Sequence, residues 1–383
     1  RGQHRVDEHR RRIRSRDTSH RRSPHNGASS THADLGSKHR SMRPVTAPNP
    51  FTHRRRVKRH PSAPDANLRG RCRNPPGPRQ SVGMARGHDD PIDRFARFAP
   101  WVARLAWILV AVVGGRAVES AVDGRSSAVV WTAAIGGWTL WAVAALGLAI
   151  AATRSLTIVR LGVPLALVAT VAAGVGGATA IELVLLGGPA IIAAAAVMTA
   201  EFGRQWVQAS AYGDEDRFPL RFPVGAGLAA IVSWALWAPA LITGPLLIAA
   251  RSWIAGVVLC VVAVGGAAAL GPRWHRLSMR WFVLVPAGVV LHDPVVLADT
   301  FPLRTAQIAS IGLATADTEA ADLTGPASGY AVEIATTESV TAVFAFTPAE
   351  PNGRAIHLRS FLIAPSRPGR ALRSAKARGL PVA

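Results

Sequence analysis

Residues 161–200 read LGVPLALVATVAAGVGGATAIELVLLGGPAIIAAAAVMTA, a run in which Glu182 is the one charged side chain. A helix crosses a roughly 30 Å hydrocarbon core in about 20 residues. The run is therefore read as two membrane spans, and Gly174-Val175-Gly176-Gly177 marks the tight turn between them. Similar stretches lie on both sides. Six spans are predicted near 101–119, 127–152, 157–176, 179–200, 223–250 and 253–271, or five if the first does not cross. That first run is interrupted by Arg104 and Arg116, which leave about 16 Å of uncharged helix between them. Both arginines are expected to snorkel to opposite interfaces, with Trp101 and Trp107 near the inner one. Pro239 and Pro245 predict a kink in the fifth span.

Orientation follows from the arginines. Arg154, Arg160, Arg204, Arg217, Arg221, Arg273, Arg276 and Arg280 fall in segments of one side, whereas Arg116, Arg125 and Arg251 fall on the other. Positive charge is retained on the cytoplasmic face. The expectation is a multi-pass protein of the cell membrane with both termini in the cytoplasm.

The chain carries a formal net charge of +21, most of it in its first fifth: residues 1–83 hold 21 of the 44 Lys+Arg and 5 of the 23 Asp+Glu. Arg10-Arg11-Arg12 and Arg54-Arg55-Arg56 stand among histidines and prolines without apolar periodicity, so this arm is expected to be disordered. Three readings stay open for it. It is translated upstream of a true start at Met84, or it is a polybasic tail for anionic lipid, or it binds nucleic acid. The last is disfavoured because Phe51 is its one aromatic residue. Cys72 and Cys260 are the two cysteines, too few for a disulfide framework or a thiolate metal site.

Ionisable groups within spans are the first place to look for function. Arg160 and Glu182 are the candidates, read at opposite interfaces and hence not as a pair. The Asp214-Glu215-Asp216 cluster lacks the alternating ligands of a calcium loop and is read as a solvated loop. His275, His292 and His357 are far apart in sequence and do not form a zinc motif. No catalytic, cofactor-binding or metal-ligating constellation is predicted, and no phosphate loop or nucleophile elbow is recognisable.

After Pro272 the pattern shifts to short alternating runs bounded by turn residues, which predicts strands. A hairpin is expected where 280–285 and 289–293 flank Pro286-Ala287-Gly288. Further strands are expected over 295–298, 306–313, 330–335, 340–346 and 355–363, with a closing helix over 369–378. The predicted fold class is a membrane all-α bundle (84–271) followed by a small, mostly β soluble domain (272–383). The segment Met279–Ala383 is expected to fold alone. Arg370, Arg373, Lys376 and Arg378 of its helix are placed either against the anionic inner leaflet or in solvent.

This order of elements, together with Arg280-Trp281-Phe282-Val283-Leu284-Val285-Pro286-Ala287-Gly288, resembles uncharacterised actinobacterial multi-pass membrane proteins with a C-terminal PH-like domain. The resemblance implies a β-barrel-like appendage closed by a helix, and no activity. The function expected is a non-enzymatic scaffold or accessory subunit, its partners the lipid bilayer and other membrane proteins. The alternative is a small-solute transporter or channel using Thr132, Thr139, Thr170, Ser233 and Thr243.

Overall fold

The computed structural model describes residues 97–345 and 353–383, all within one compact unit. The basic arm expected over 1–83 and the start expected at Met84 lie outside the described residues. In chain order the helices are α1 (Ala99–Val122), α2 (Ser127–Ala149), α3 (Thr153–Gly162), α4 (Leu165–Gly176), α5 (Ala180–Met198), α6 (Ala200–Gln208), α7 (Val224–Ala249) and α8 (Trp253–Ser278). Six candidate spans result, with α3 and α4 forming the third.

Local chemistry explains these limits. Pro164 offers no N–H and its ring collides with the preceding turn, so the third span breaks between Gly162 and Leu165. The Leu161 carbonyl at this break accepts a 3.1 Å hydrogen bond from Trp234 Nε1 of α7. The glycine-rich turn falls where expected. Gly177 adopts a φ of 106° at the end of α4, a conformation that favours glycine, and Thr179 with Glu182 forms a capping box that opens α5. Helix α7 runs continuously through Pro239 and Pro245.

The outer surfaces of the spans are apolar, with Ile231, Ile254 and Val261 among the exposed side chains, as a hydrocarbon solvent requires. Inside, small residues let backbones approach. A Cβ on Gly244 of α7 would stand 3.0 Å from the Cys260 backbone nitrogen of α8. Helix α2 is the loosest member, burying Ala144, Gly147 and Leu148 near its C-terminus. Its last carbonyls are caught by neighbours: Trp206 Nε1 donates to Gly147 O at 3.2 Å, and Arg104 Nε to Leu148 O at 2.9 Å. Arg104, expected to snorkel, thus satisfies an orphan carbonyl of a helix end.

The described residues form eight strands, β1 (Asp216–Pro219) ahead of α7 and, after α8, β2 (Trp281–Val285), β3 (Gly288–His292), β4 (Phe301–Arg304), β5 (Ile308–Leu313), β6 (Ala321–Asp322), β7 (Val332–Phe344) and β8 (Arg354–Ile363), before a closing helix α9 (Pro368–Ala377). They form two four-stranded sheets, ordered β1-β2-β3-β4 and β5-β7-β8-β6. The predicted hairpin is present, with Val285 opposite Gly288 across Pro286-Ala287. Three expectations for strands are corrected. Residues 295–298 form no strand, because Asp293 draws the Val295 and Val296 amides into a turn. The strands expected over 330–335 and 340–346 are one, β7, its register shifting between Ala335 and Val340. The third correction is β1, which comes from the loop between the fourth and fifth spans and pairs antiparallel with β2.

Both faces of the first sheet are covered, which is why β2 reads Trp-Phe-Val-Leu-Val without alternation. Phe282 and Leu284 enter the β core with Phe301, Ile334 and Phe361, and Ala371 and Ala375 of α9 close it. Trp281 and Val283 join the core of the bundle with Ala99, Phe202 and Trp206.

Candidate functional site

The β domain meets the bundle along a seam of charges. Helix α6 opens at Thr199, whose hydroxyl accepts from Phe202 N and donates to Ala196 O at 2.7 Å. In its first turn, Glu201 is 2 % exposed and accepts 2.9 Å from Arg370 Nη1 of α9, with Arg204 Nη1 at 3.7 Å. Further along α9, Ser374 Oγ donates to Asp216 and Arg378 Nη2 to Asp214 Oδ1 at 2.7 Å. Gln208 clamps the connecting loop, donating to Glu215 O at 2.7 Å and accepting from Arg217 N at 2.8 Å. The acidic cluster read as a solvated loop is therefore the receptor for α9. Arg370 and Arg378, two of the four basic residues considered for lipid contact, are held by protein carboxylates instead.

Deeper in the β domain, Arg280 and Asp293 form a fully buried bidentate pair, Nε to Oδ1 at 2.8 Å and Nη2 to Oδ2 at 2.6 Å. The remaining guanidinium donors reach Arg221 O at 2.6 Å and Thr324 O at 3.0 Å. Arg280 was expected as a positive flank of the last span. The sequence held a signal for its real place, since the hairpin register that sets Trp281 opposite His292 also brings 280 and 293 face to face.

The two candidates singled out from sequence remain apart. Arg160 ends α3, its Nε 3.4 Å from Val197 O and its guanidinium over the Phe222 ring at 5.7 Å. Glu182 lies at the other end of α5, about 22 Å from Val197 along the helix axis. Its carboxylate accepts from Ser120 Oγ of α1 at 2.7 Å and from the Thr179 amide at 2.8 Å, a capping arrangement. The histidines are also separate, each beside a threonine hydroxyl: His275 with Thr157, His292 with Thr300 and His357 with Thr341. Among the described residues no group of three His, Cys, Asp or Glu is placed to hold a metal ion.

The hydroxyls considered for a transport path donate within their own helices, and Ser233 Oγ also accepts from Trp274 Nε1 of α8 at 3.2 Å. Thr132, Thr139, Thr170 and Thr243 each donate to the carbonyl four residues earlier, at 2.7–2.8 Å, and Ser233 to Ala230 O at 3.1 Å. Between the spans lies an apolar cleft of about 250 Å³, walled by α1 and α2 and backed by α4. At its floor Trp107 and Trp141 exchange hydrogen bonds, each indole N–H donating to the other's backbone carbonyl at 3.1 and 3.0 Å. Compared with known proteins, the chain matches no family profile, no curated protein and no solved structure.

Proposed function

We propose that this chain is a non-enzymatic membrane scaffold or accessory subunit whose bundle holds a cytoplasmic, PH-like domain against the inner face of the cell membrane. The observation that carries this reading is β1: a loop between two spans supplies the edge strand of the β domain's first sheet. A domain stitched to the bundle in this way, and latched by α9, presents its outer surface at a fixed height and orientation. Two sheets closed by a C-terminal helix support the PH-like assignment, and the arginine bias supports the cytoplasmic placement. Leu313 and Tyr330 are exposed residues of this domain, 55 % and 77 % accessible, and the Tyr330 carbonyl accepts from Arg221, close to the start of α7. Extraction of the tagged full chain from native membranes in mild detergent tests the reading. A stoichiometric membrane-protein partner is expected, lost on Leu313→Asp with Tyr330→Asp. Recovery of this chain alone overturns it, as does proteoliposome solute flux abolished by Glu182→Gln, which would restore the transporter alternative.

A further inference from the structure

Near the end of α8, three successive side chains turn to three different surroundings. Trp274 faces α7, its Nε1 donating to Ser233 Oγ at 3.2 Å. His275 faces α3, its Nδ1 2.8 Å from Thr157 Oγ1. Side chains step about 100° around a helix per residue, so Arg276 lies on the side of His275 away from α7. On α3, Arg154 stands one turn before Thr157 on the same face, and its charge acts on the His275 ring. Arg154 and Arg276 are both exposed. Among the described residues neither forms an ion pair with a carboxylate. Two guanidinium groups and an imidazole are thus gathered without a counter-charge, a local positive potential that attracts an anion.

Further along the same two faces, toward the middle of the spans, the groove becomes apolar. Ile158 follows Arg154 by one turn of α3 and is exposed. Gly271 lies one turn before His275 on α8, where a Cβ would find nothing within 4 Å. Cations at the end of the spans therefore stand above open apolar space about 6 Å further in. A soluble anion would engage the cations alone. A phospholipid engages both parts, its phosphate accepting from the guanidinium groups and its acyl chain entering beside Gly271. An anionic lipid fits better than a zwitterionic one, because no carboxylate pairs with these arginines to receive an ammonium.

We propose that the groove between α3 and α8 binds one anionic phospholipid, its phosphate held by Arg154, His275 and Arg276 and an acyl chain lying along Ile158 and Gly271. Arg273 is outside the site: it points nearly opposite to His275 around α8 and its Nη1 donates to Ala269 O at 2.6 Å.

Native mass spectrometry of the full chain, released from micelles containing equal phosphatidylglycerol and phosphatidylcholine, tests the site. One phosphatidylglycerol per chain is expected. Arg154→Gln with Arg276→Gln should lower its retention about thirtyfold, from roughly fivefold for each cation. Arg273→Gln removes the same charge from the same helix and should leave retention unchanged. Gly271→Leu fills the apolar space without touching the charges and should also lower retention. It decides the outcome if the double variant loses its thermal transition. Excess inorganic phosphate should not displace the lipid. The proposal is overturned by equal retention of the two lipids, by equal losses in Arg273→Gln and the double variant, by undiminished retention in Gly271→Leu, or by displacement with inorganic phosphate.

Discussion

Arg280 and Asp293 show how much one buried pair can carry. Both side chains are fully buried and bidentate, so removing one partner strands a charge where water cannot reach it. Arg280→Met is expected to destabilise the protein by about 3–5 kcal/mol, and Arg280→Met with Asp293→Leu to recover part of that loss; thermal unfolding in detergent measures both. His292 offers a pH-dependent counterpart. Its ring stacks on Trp281 with centroids 4.8 Å apart. Burial, joined by the nearby Arg217 and opposed by Asp293, holds its pKa below the ordinary 6.5. The neutral ring is thus favoured in the folded state. This contribution is fully present above pH 6.5 and is lost as the pH falls through the lowered folded value. His292→Phe, which keeps a stacked ring, should flatten the acid side of the stability profile; an unchanged profile would remove His292 as its source.

At the scale of elements, α9 is held by residues of α6 and of the segment after it, more than 150 positions earlier in the chain. Arg370→Ala leaves the buried Glu201, among the described residues, with the more distant Arg204, a loss expected to be about 1–3 kcal/mol. Arg378→Ala removes a pair whose Asp214 side chain is 77 % exposed, and the effect should be under about 1 kcal/mol. Hydrogen exchange within Pro368–Ala377 should rise strongly in the first variant and slightly in the second. Equal protection in both would mean that the apolar contacts of Ala371 and Ala375 alone hold the helix. The capping box of α5 is a separate element-level device: Thr179→Ala should cost about 1 kcal/mol, read from the same unfolding transition.

Across the whole molecule, the strand order links topology to folding. Because β1 and β2 share one sheet, the loop after the fourth span and the chain after the sixth lie on the same side of the bundle, with α7 and α8 as the hairpin between them. Cytoplasmic placement of this side predicts that a reporter active only in the cytoplasm works when fused after Ala383. Alkaline phosphatase activity at that point would reverse the orientation. The β domain should also fail to fold as Met279–Ala383, because that fragment lacks β1 and uncovers Trp281 and Val283. Linking residues 212–222 to its N-terminus should restore β-sheet circular dichroism. A soluble, β-rich fragment without that addition would show that β1 is dispensable.

The spans, the Gly177 turn, the β2–β3 hairpin and the closing helix were legible along the chain, because each is written in neighbours: uncharged length, a glycine where φ must be positive, two short apolar runs broken by Pro-Ala-Gly. The break at Pro164 is equally local, although the third span was read as unbroken. What could not be read in this way depends on partners far apart in sequence. The Asp214-Glu215-Asp216 cluster looks like any polar loop until Arg378 and Ser374 fold back onto it. The 216–219 segment is too short to declare itself a strand and becomes one by pairing with β2. The cleft between α1 and α2 has no sequence pattern at all. A glycine against Leu186 and a glycine beside open space are the same letter, and only the packing of the helices distinguishes them. Local chemistry thus specified which segments enter the membrane and which turn, whereas the tertiary arrangement set which charges are paired, which strand completes the sheet and where an apolar space is left, because burial and pairing depend on distances that the order of residues does not contain.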